Sequence, residues 1–170
     1  MTCHLCLALD APDPRLSTTG HLCQVHLDTL AQVLRDIGHL YTHVSSAQFL
    51  SEQRDRDAER WVGSKAPTDM HTVSLLDYRT VALAKGDPIS IPRVLKVWTY
   101  AILDALAQEN RTTGIQFSHD APMPHQSVAR YIQLHLQLLP WLATHPDVVV
   151  RYARHMAALR RQLLRLVPQY

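Results

Sequence analysis

The pattern that most constrains this chain lies in its first 26 residues. Cys3-x2-Cys6 is followed, after residues 7–22, by Cys23-x2-His26. Each x2 spacing lets one tight turn aim two side chains at a single point. Two such pairs offer four sulfur and nitrogen donors, the set that a tetrahedral structural zinc takes. The first pair sits in a segment that can form a knuckle, and the second falls in the first turn of a predicted helix. A treble-clef-like knuckle holding one structural Zn2+ through Cys3, Cys6, Cys23 and His26 is therefore expected. His4 and His21 are near enough in sequence to compete for the fourth position, but the helical register favours His26. Four protein ligands close the coordination sphere, which argues against a catalytic ion. The alternatives are three unrelated buried cysteines or a redox Cys-x-x-Cys. Such a motif follows a strand, and residues 1–2 leave no room for one.

The three cysteines are an odd number, all within the first 23 residues, unlike a secreted disulfide framework. No basic segment followed by an apolar run opens the chain, so no signal peptide is expected. No apolar run approaches the roughly 18 to 20 residues that span a membrane. A cytoplasmic protein with reduced thiols and no membrane role is the expectation. At 170 residues, 46% of them hydrophobic, the chain is long enough to bury a core as one compact domain.

Helical periodicity dominates and strand-like alternation is weak. A first helix is predicted from about Cys23 to Val44, with Leu30, Val33, Leu34, Ile37, Leu40, Tyr41 and Val44 on one face. Residues 46–71, rich in charge, read as a polar loop or linker with at most a short helix before Trp61. A short helix is expected near 72–84, broken by Lys85-Gly86-Asp87-Pro88. Another runs from Ile91 to Asn110, its buried stripe being Val94, Leu95, Trp98, Ala101, Ile102, Ala105 and Leu106. After a turn rich in Thr, Gly and Pro comes a helix over 125–143, apolar around most of its circumference. Only Arg130, Gln133 and Gln137 mark its wet side, and Pro140 is expected to kink it. The last helix spans Pro146 to Leu166. The fold class is all-α, a bundle of about five helices with the knuckle at its N-terminus. Residues 1–45 would form the knuckle and first helix, 46–71 the loop, and 72–170 the bundle packed on that helix.

Other candidates weigh less. His39 and His43 are four apart on the first helix but face away from its apolar stripe, and no His-Glu-x-x-His pattern includes them. They read as a solvated pair. His135 falls on the apolar face of the fourth helix and reads as a hydrogen-bonded core histidine, with catalysis as the minor alternative. No phosphate-binding glycine loop, nucleophile elbow or paired-carboxylate motif occurs, and Asp69, Asp77 and Asp87 are isolated. The chain is not expected to be an enzyme.

The strongest surface signal is on the last helix. Arg151, Arg154, Arg161 and Arg165 fall within roughly 80 degrees of one another at helical spacing, opposite Tyr152, Met156, Leu159 and Leu163. Such a stripe can track phosphates, and it can equally be the solvated side of a surface helix. The formal net charge of only +2 leaves any nucleic-acid role to this local face.

The order of features resembles a group of proteins from phages and prophages of actinobacteria. The likeness rests on the Cys/His pairs, Leu40-Tyr41, Ala66-Pro67, Leu76-Asp77, Leu139-Pro140-Trp141-Leu142-Ala143-x-x-Pro146 and Arg160-Arg161-x-Leu163. Members of that group often continue into a second zinc-binding element and a helix-turn-helix. The resemblance therefore implies regulatory or DNA-associated roles, although no such extension is expected before Tyr170. The first reading is a non-enzymatic, phage-type regulatory or DNA-associated protein that meets DNA through the arginine face. The second is a protein-interaction module that binds a host or phage protein or forms a homo-oligomer. It is motivated by the apolar girth of the fourth helix and by Trp61 and Tyr170 in polar surroundings.

Overall fold

Apolar residues recurring at helical spacing produce an all-α architecture in the computed structural model. It describes residues 2–8, 15–17, 20–59, 75–77, 90–109 and 128–167, with side chains in the second helix described to residue 46. The five helices among these residues are α1 (His4–Ala8), α2 (Gln24–Glu59), α3 (Ile91–Glu109), α4 (Val128–Ala143) and α5 (Pro146–Leu166). An isolated antiparallel bridge pairs Thr2 with Leu16. The long helix α2 lies against α5 and α4, α3 packs on α4, and α1 rests on α5. None of the described helices is long and apolar enough to cross a membrane.

The buried stripes largely follow the sequence periodicity. Leu30, Leu34, Ile37 and Val44 of α2 meet Val149, Tyr152, Met156, Leu159 and Leu163 of α5 in one core cluster. α5 begins with Pro146, whose missing N–H costs nothing in a first turn. Asp147 near its start and Arg165 near its end both suit the helix dipole. Pro140 sits inside α4 on its exposed side, and the helix continues to Ala143.

Two expectations need correction. α2 does not end near Val44 but continues to Glu59, through the stretch expected to open a polar loop. Between residues 39 and 62 there is neither glycine nor proline, and Ala, Gln, Glu and Arg recur. Helix propensity there suffices once the preceding turns are packed. In α3 the buried face is Ile91, Leu95, Trp98, Thr99, Ile102 and Leu103, whereas Ala101 is exposed and Val94, Ala105 and Leu106 are only partly covered. Thr99 turns inward because it has a polar partner on α4. Of the helix expected near 72–84, only residues 75–77 are described. Leu75 is fully buried, and the Leu76 carbonyl accepts a hydrogen bond from Tyr41 Oη (3.3 Å). Trp61, Tyr170, residues 60–71 and the turn preceding α4 lie outside the described residues.

The polar partner of Thr99 is His135, fully buried at the centre of the bundle. Thr99 Oγ1 donates to the Leu95 carbonyl (2.9 Å) and lies 2.9 Å from His135 Nε2. A hydroxyl has one proton to give, so Nε2–H must be the donor to Thr99. Nδ1 then accepts from Tyr152 Oη at 2.9 Å. Trp98 packs edge-on to Tyr152 and donates its indole N–H to His155 Nδ1 (3.0 Å). Both imidazole nitrogens of His135 are thus committed to the core, and burial pushes the ring's pKa from 6.5 down to about 4.

That depression fixes the direction of the pH dependence. Between pH 6.5 and about 4 the unfolded chain binds a proton at His135 that the folded chain does not. This contribution to stability is complete above the unfolded value and is lost as pH falls through the window, amounting to about 3 kcal/mol. Nitrogen-15 NMR of the imidazoles should therefore find His135 as the neutral Nε2–H tautomer at pH 5. Titration of this ring near 6.5 in the folded protein would contradict the assignment.

Candidate metal centre

The two Cys/His pairs occupy equivalent places at two helix starts. The Cys3 carbonyl accepts the Leu7 N–H (3.2 Å), so Cys3 precedes α1 and Cys6 stands in its first turn. The Cys23 carbonyl accepts the N–H groups of His26 and Leu27, each at 3.1 Å, so Cys23 precedes α2 and His26 stands in its first turn. In both, the x2 spacing places a flanking residue and a first-turn residue on one side of the helix end. Five residues are too few to display a period, so α1 carries no helical signal in the sequence. The first pair belongs to this short helix rather than to a free turn.

Backbone bonds bring the two helix starts together. The Cys3 N–H donates to the Arg15 carbonyl (2.9 Å), and the His4 N–H to that of His21 (2.8 Å). His21 in turn donates its N–H to the Ala143 carbonyl (2.6 Å), docking the loop on the corner between α4 and α5. Gly20 makes this approach possible. Its φ is +58°, and a Cβ there would lie 2.5 Å from the Ala143 oxygen, so any side chain would be strained and would also clash.

Cys3, Cys6 and Cys23 are buried, and their sulfurs converge on His26. The Sγ atoms of Cys3, Cys6 and Cys23 lie 3.3, 3.5 and 3.3 Å from His26 Nδ1. All four ligand atoms are within 4.8 Å of one another, close enough to bind a single metal ion. One ring nitrogen has one hydrogen-bonding direction and cannot serve three thiols at once. A shared cation would account for the arrangement. With metal–sulfur and metal–nitrogen bonds of about 2.3 and 2.0 Å, tetrahedral zinc would set sulfur and nitrogen about 3.5 Å apart. The observed spacings fit.

Electrostatics points the same way. Burial opposes ionisation of Cys3, but the backbone N–H groups of Cys6 and Cys23, with His26, outweigh it and lower that thiol to about 6. Cys6 moves up instead, through burial and the neighbouring sulfurs of Cys3 and Cys23. Three thiolates in one buried space repel one another unless a cation joins them. His4 and His21, the competing ligands, pack edge to face at 4.8 Å and are not among the four converging groups.

The remaining candidates are dispersed. His39 and His43 are exposed on α2, and His135 is in the core. Arg151, Arg154, Arg161 and Arg165 are exposed along α5. Two polar contacts have no counterpart in the sequence pattern. Arg160 Nε meets Asp36 Oδ2 at 2.6 Å, joining α5 to α2. Glu109, at the end of α3, accepts from the Trp141 indole (2.8 Å) and meets His145 Nε2 at 2.5 Å, while the His145 and Trp141 rings stack at 3.9 Å. The partners are far apart along the chain, so no local spacing announces them. Comparison with known protein families, curated proteins and solved structures finds no match.

Replacing Cys23 by Ser removes one of the four converging groups and should weaken the connection between loop and α2. Metal quantified on the purified variant should fall well below that of the wild type, and thermal unfolding should begin at lower temperature, because metal binding is coupled to folding. A variant that retained both metal and melting temperature would exclude Cys23 as a ligand.

Proposed function

We propose that this protein is a non-enzymatic, cytoplasmic, phage-type regulatory or DNA-associated factor built on one structural zinc ion. The donor set supports the choice of metal. Three thiolates and an imidazole are the ligands that zinc takes in closed tetrahedral sites, whereas magnesium and calcium favour oxygen. Cys3, Cys6, Cys23 and His26 would hold the ion. Its contribution is a crosslink, since four protein ligands leave no place for a substrate. His135 is no candidate base, with both ring nitrogens engaged in a closed core network.

The functional surface in this reading is the outer face of α5, and one observation carries it. Arg151, Arg154, Arg161 and Arg165 are all exposed, and none is ion-paired among the described residues, whereas neighbouring Arg160 is tied to Asp36. From Arg151 to Arg165 the helix rises about 21 Å, long enough to meet several phosphates of a duplex. The likeness to phage and prophage proteins belongs to the same proposal and supplies its regulatory sense.

The test is binding to random-sequence duplex DNA over a range of salt. Each phosphate contact should add about 0.9 to the negative slope of log affinity against log salt, about 3.6 for four. Replacing Arg154 and Arg161 together by Ala should weaken binding and make that slope shallower by about 1.8, with melting temperature and metal content retained. Wild-type affinity in the double variant would show that DNA, if bound, is bound elsewhere.

A further inference from the structure

A groove runs beside the metal centre, between α1, the first turns of α2 and the flank of α5, and it has a volume of about 430 Å³. That falls in the range of ligand-binding clefts, roughly 300–1,000 Å³. Leu5, Leu30, Val33, Val150, Ala153 and Ala157 make its lining predominantly apolar. The alanines keep the α5 wall low, so another helix could approach closely.

The polar groups are unevenly placed. Arg154, Arg160 and Arg161 come from α5, Thr29 and His26 from α2, and no carboxylate among the described residues lines the groove. Arg160 is held by Asp36, whereas Arg154 and Arg161 make no ion pair among the described residues. The surface is thus apolar within and cationic on its α5 side. Phosphate tracking would make no use of the apolar part, and Arg151 and Arg165 of the basic stripe do not line the groove.

We infer that this groove docks an acidic amphipathic helix of a partner protein, its apolar side chains against Leu30, Val33, Ala153 and Ala157 and its carboxylates on Arg154 and Arg161. Charge complementarity selects this occupant. A basic segment would be repelled by two unpaired guanidiniums, and a neutral one would leave them without partners. A helix bearing apolar side chains at i, i+3 and i+7 matches a shallow interhelical groove, the helix-in-groove mode of peptide recognition. This inference goes beyond DNA association and does not depend on it.

The experiment is a display selection against the full, metal-loaded chain. The library consists of helical peptides of about four turns with Leu or Phe at i, i+3 and i+7 and Glu, Lys or Ala varied elsewhere. Glu-rich peptides should be enriched. They should bind the charge-reversed variant Arg154→Glu/Arg161→Glu at least about tenfold more weakly, and Lys-for-Glu counterparts should regain binding to it. Ala157→Phe, which fills the groove, should also lose about tenfold or more in peptide binding while leaving duplex DNA binding unchanged. Metal content and melting temperature are measured on each variant, and if Ala157→Phe does not fold the charge reversal decides alone. Absence of enrichment, or enrichment of Lys-rich peptides, overturns the proposal. So does peptide binding that survives Ala157→Phe but is competed by duplex DNA, which would leave the arginines to phosphates alone.

Discussion

The N-terminal end of this molecule depends on the convergence of three sulfurs and one imidazole nitrogen on one point. α1 has five residues, far too few to be helical alone. It is held because Cys3 and Cys6 share a centre with Cys23 and His26, at the start of the longest helix. Structural zinc sites in small peptides supply about 10–16 kcal/mol of apparent binding energy at neutral pH. A hydrogen bond such as His4 N–H to the His21 carbonyl contributes about 1 kcal/mol. A metal bound there would therefore be the strongest tie, with the backbone bonds setting direction. Through His21 and Gly20 the same loop reaches the corner between α4 and α5, so the centre joins the N-terminal segment to the C-terminal half of the bundle.

The bundle itself rests on apolar burial, and its polar contacts determine how the helices are arranged. Asp36–Arg160 is partly exposed, the arginine side chain at 40% and the aspartate at 24%. Such a pair contributes well under 1 kcal/mol once solvent screening is counted. Its consequence is geometric: it removes one arginine from the free surface of α5 and fixes that helix against α2. The network around His135 is different in kind. It is fully buried, and each partner would be left unsatisfied if another were removed, at about 1–3 kcal/mol per orphaned group. It selects one rotation of α3 against α4, which explains why Thr99 faces inward where the apolar pattern favours Val94 and Ala105.

What can be read in the sequence is what is local. The ligand pairs are each three apart, and α5 carries its own start signal in Pro146, so both are legible. The buried stripes of α2 and α5 follow 3.6-residue periodicity, and the arginines opposite Tyr152 and Met156 are exposed as that period requires. The failures share a cause. α1 is shorter than any useful period, and the end of α2 is polar without a breaker. The inward turn of Thr99, the Glu109–His145 contact and the groove beside His26 arise only when distant segments meet. The role of Arg160 illustrates this: its neighbour Arg161 looks equivalent in sequence, yet only Arg160 meets Asp36.

X-ray absorption at the zinc edge, on protein purified without added metal, tests the metal crosslink most directly. Three sulfur scatterers at about 2.3 Å and one nitrogen at about 2.0 Å are the predicted shell. A protein without bound zinc, or a shell with fewer than three sulfurs or with added oxygen ligands, would contradict it.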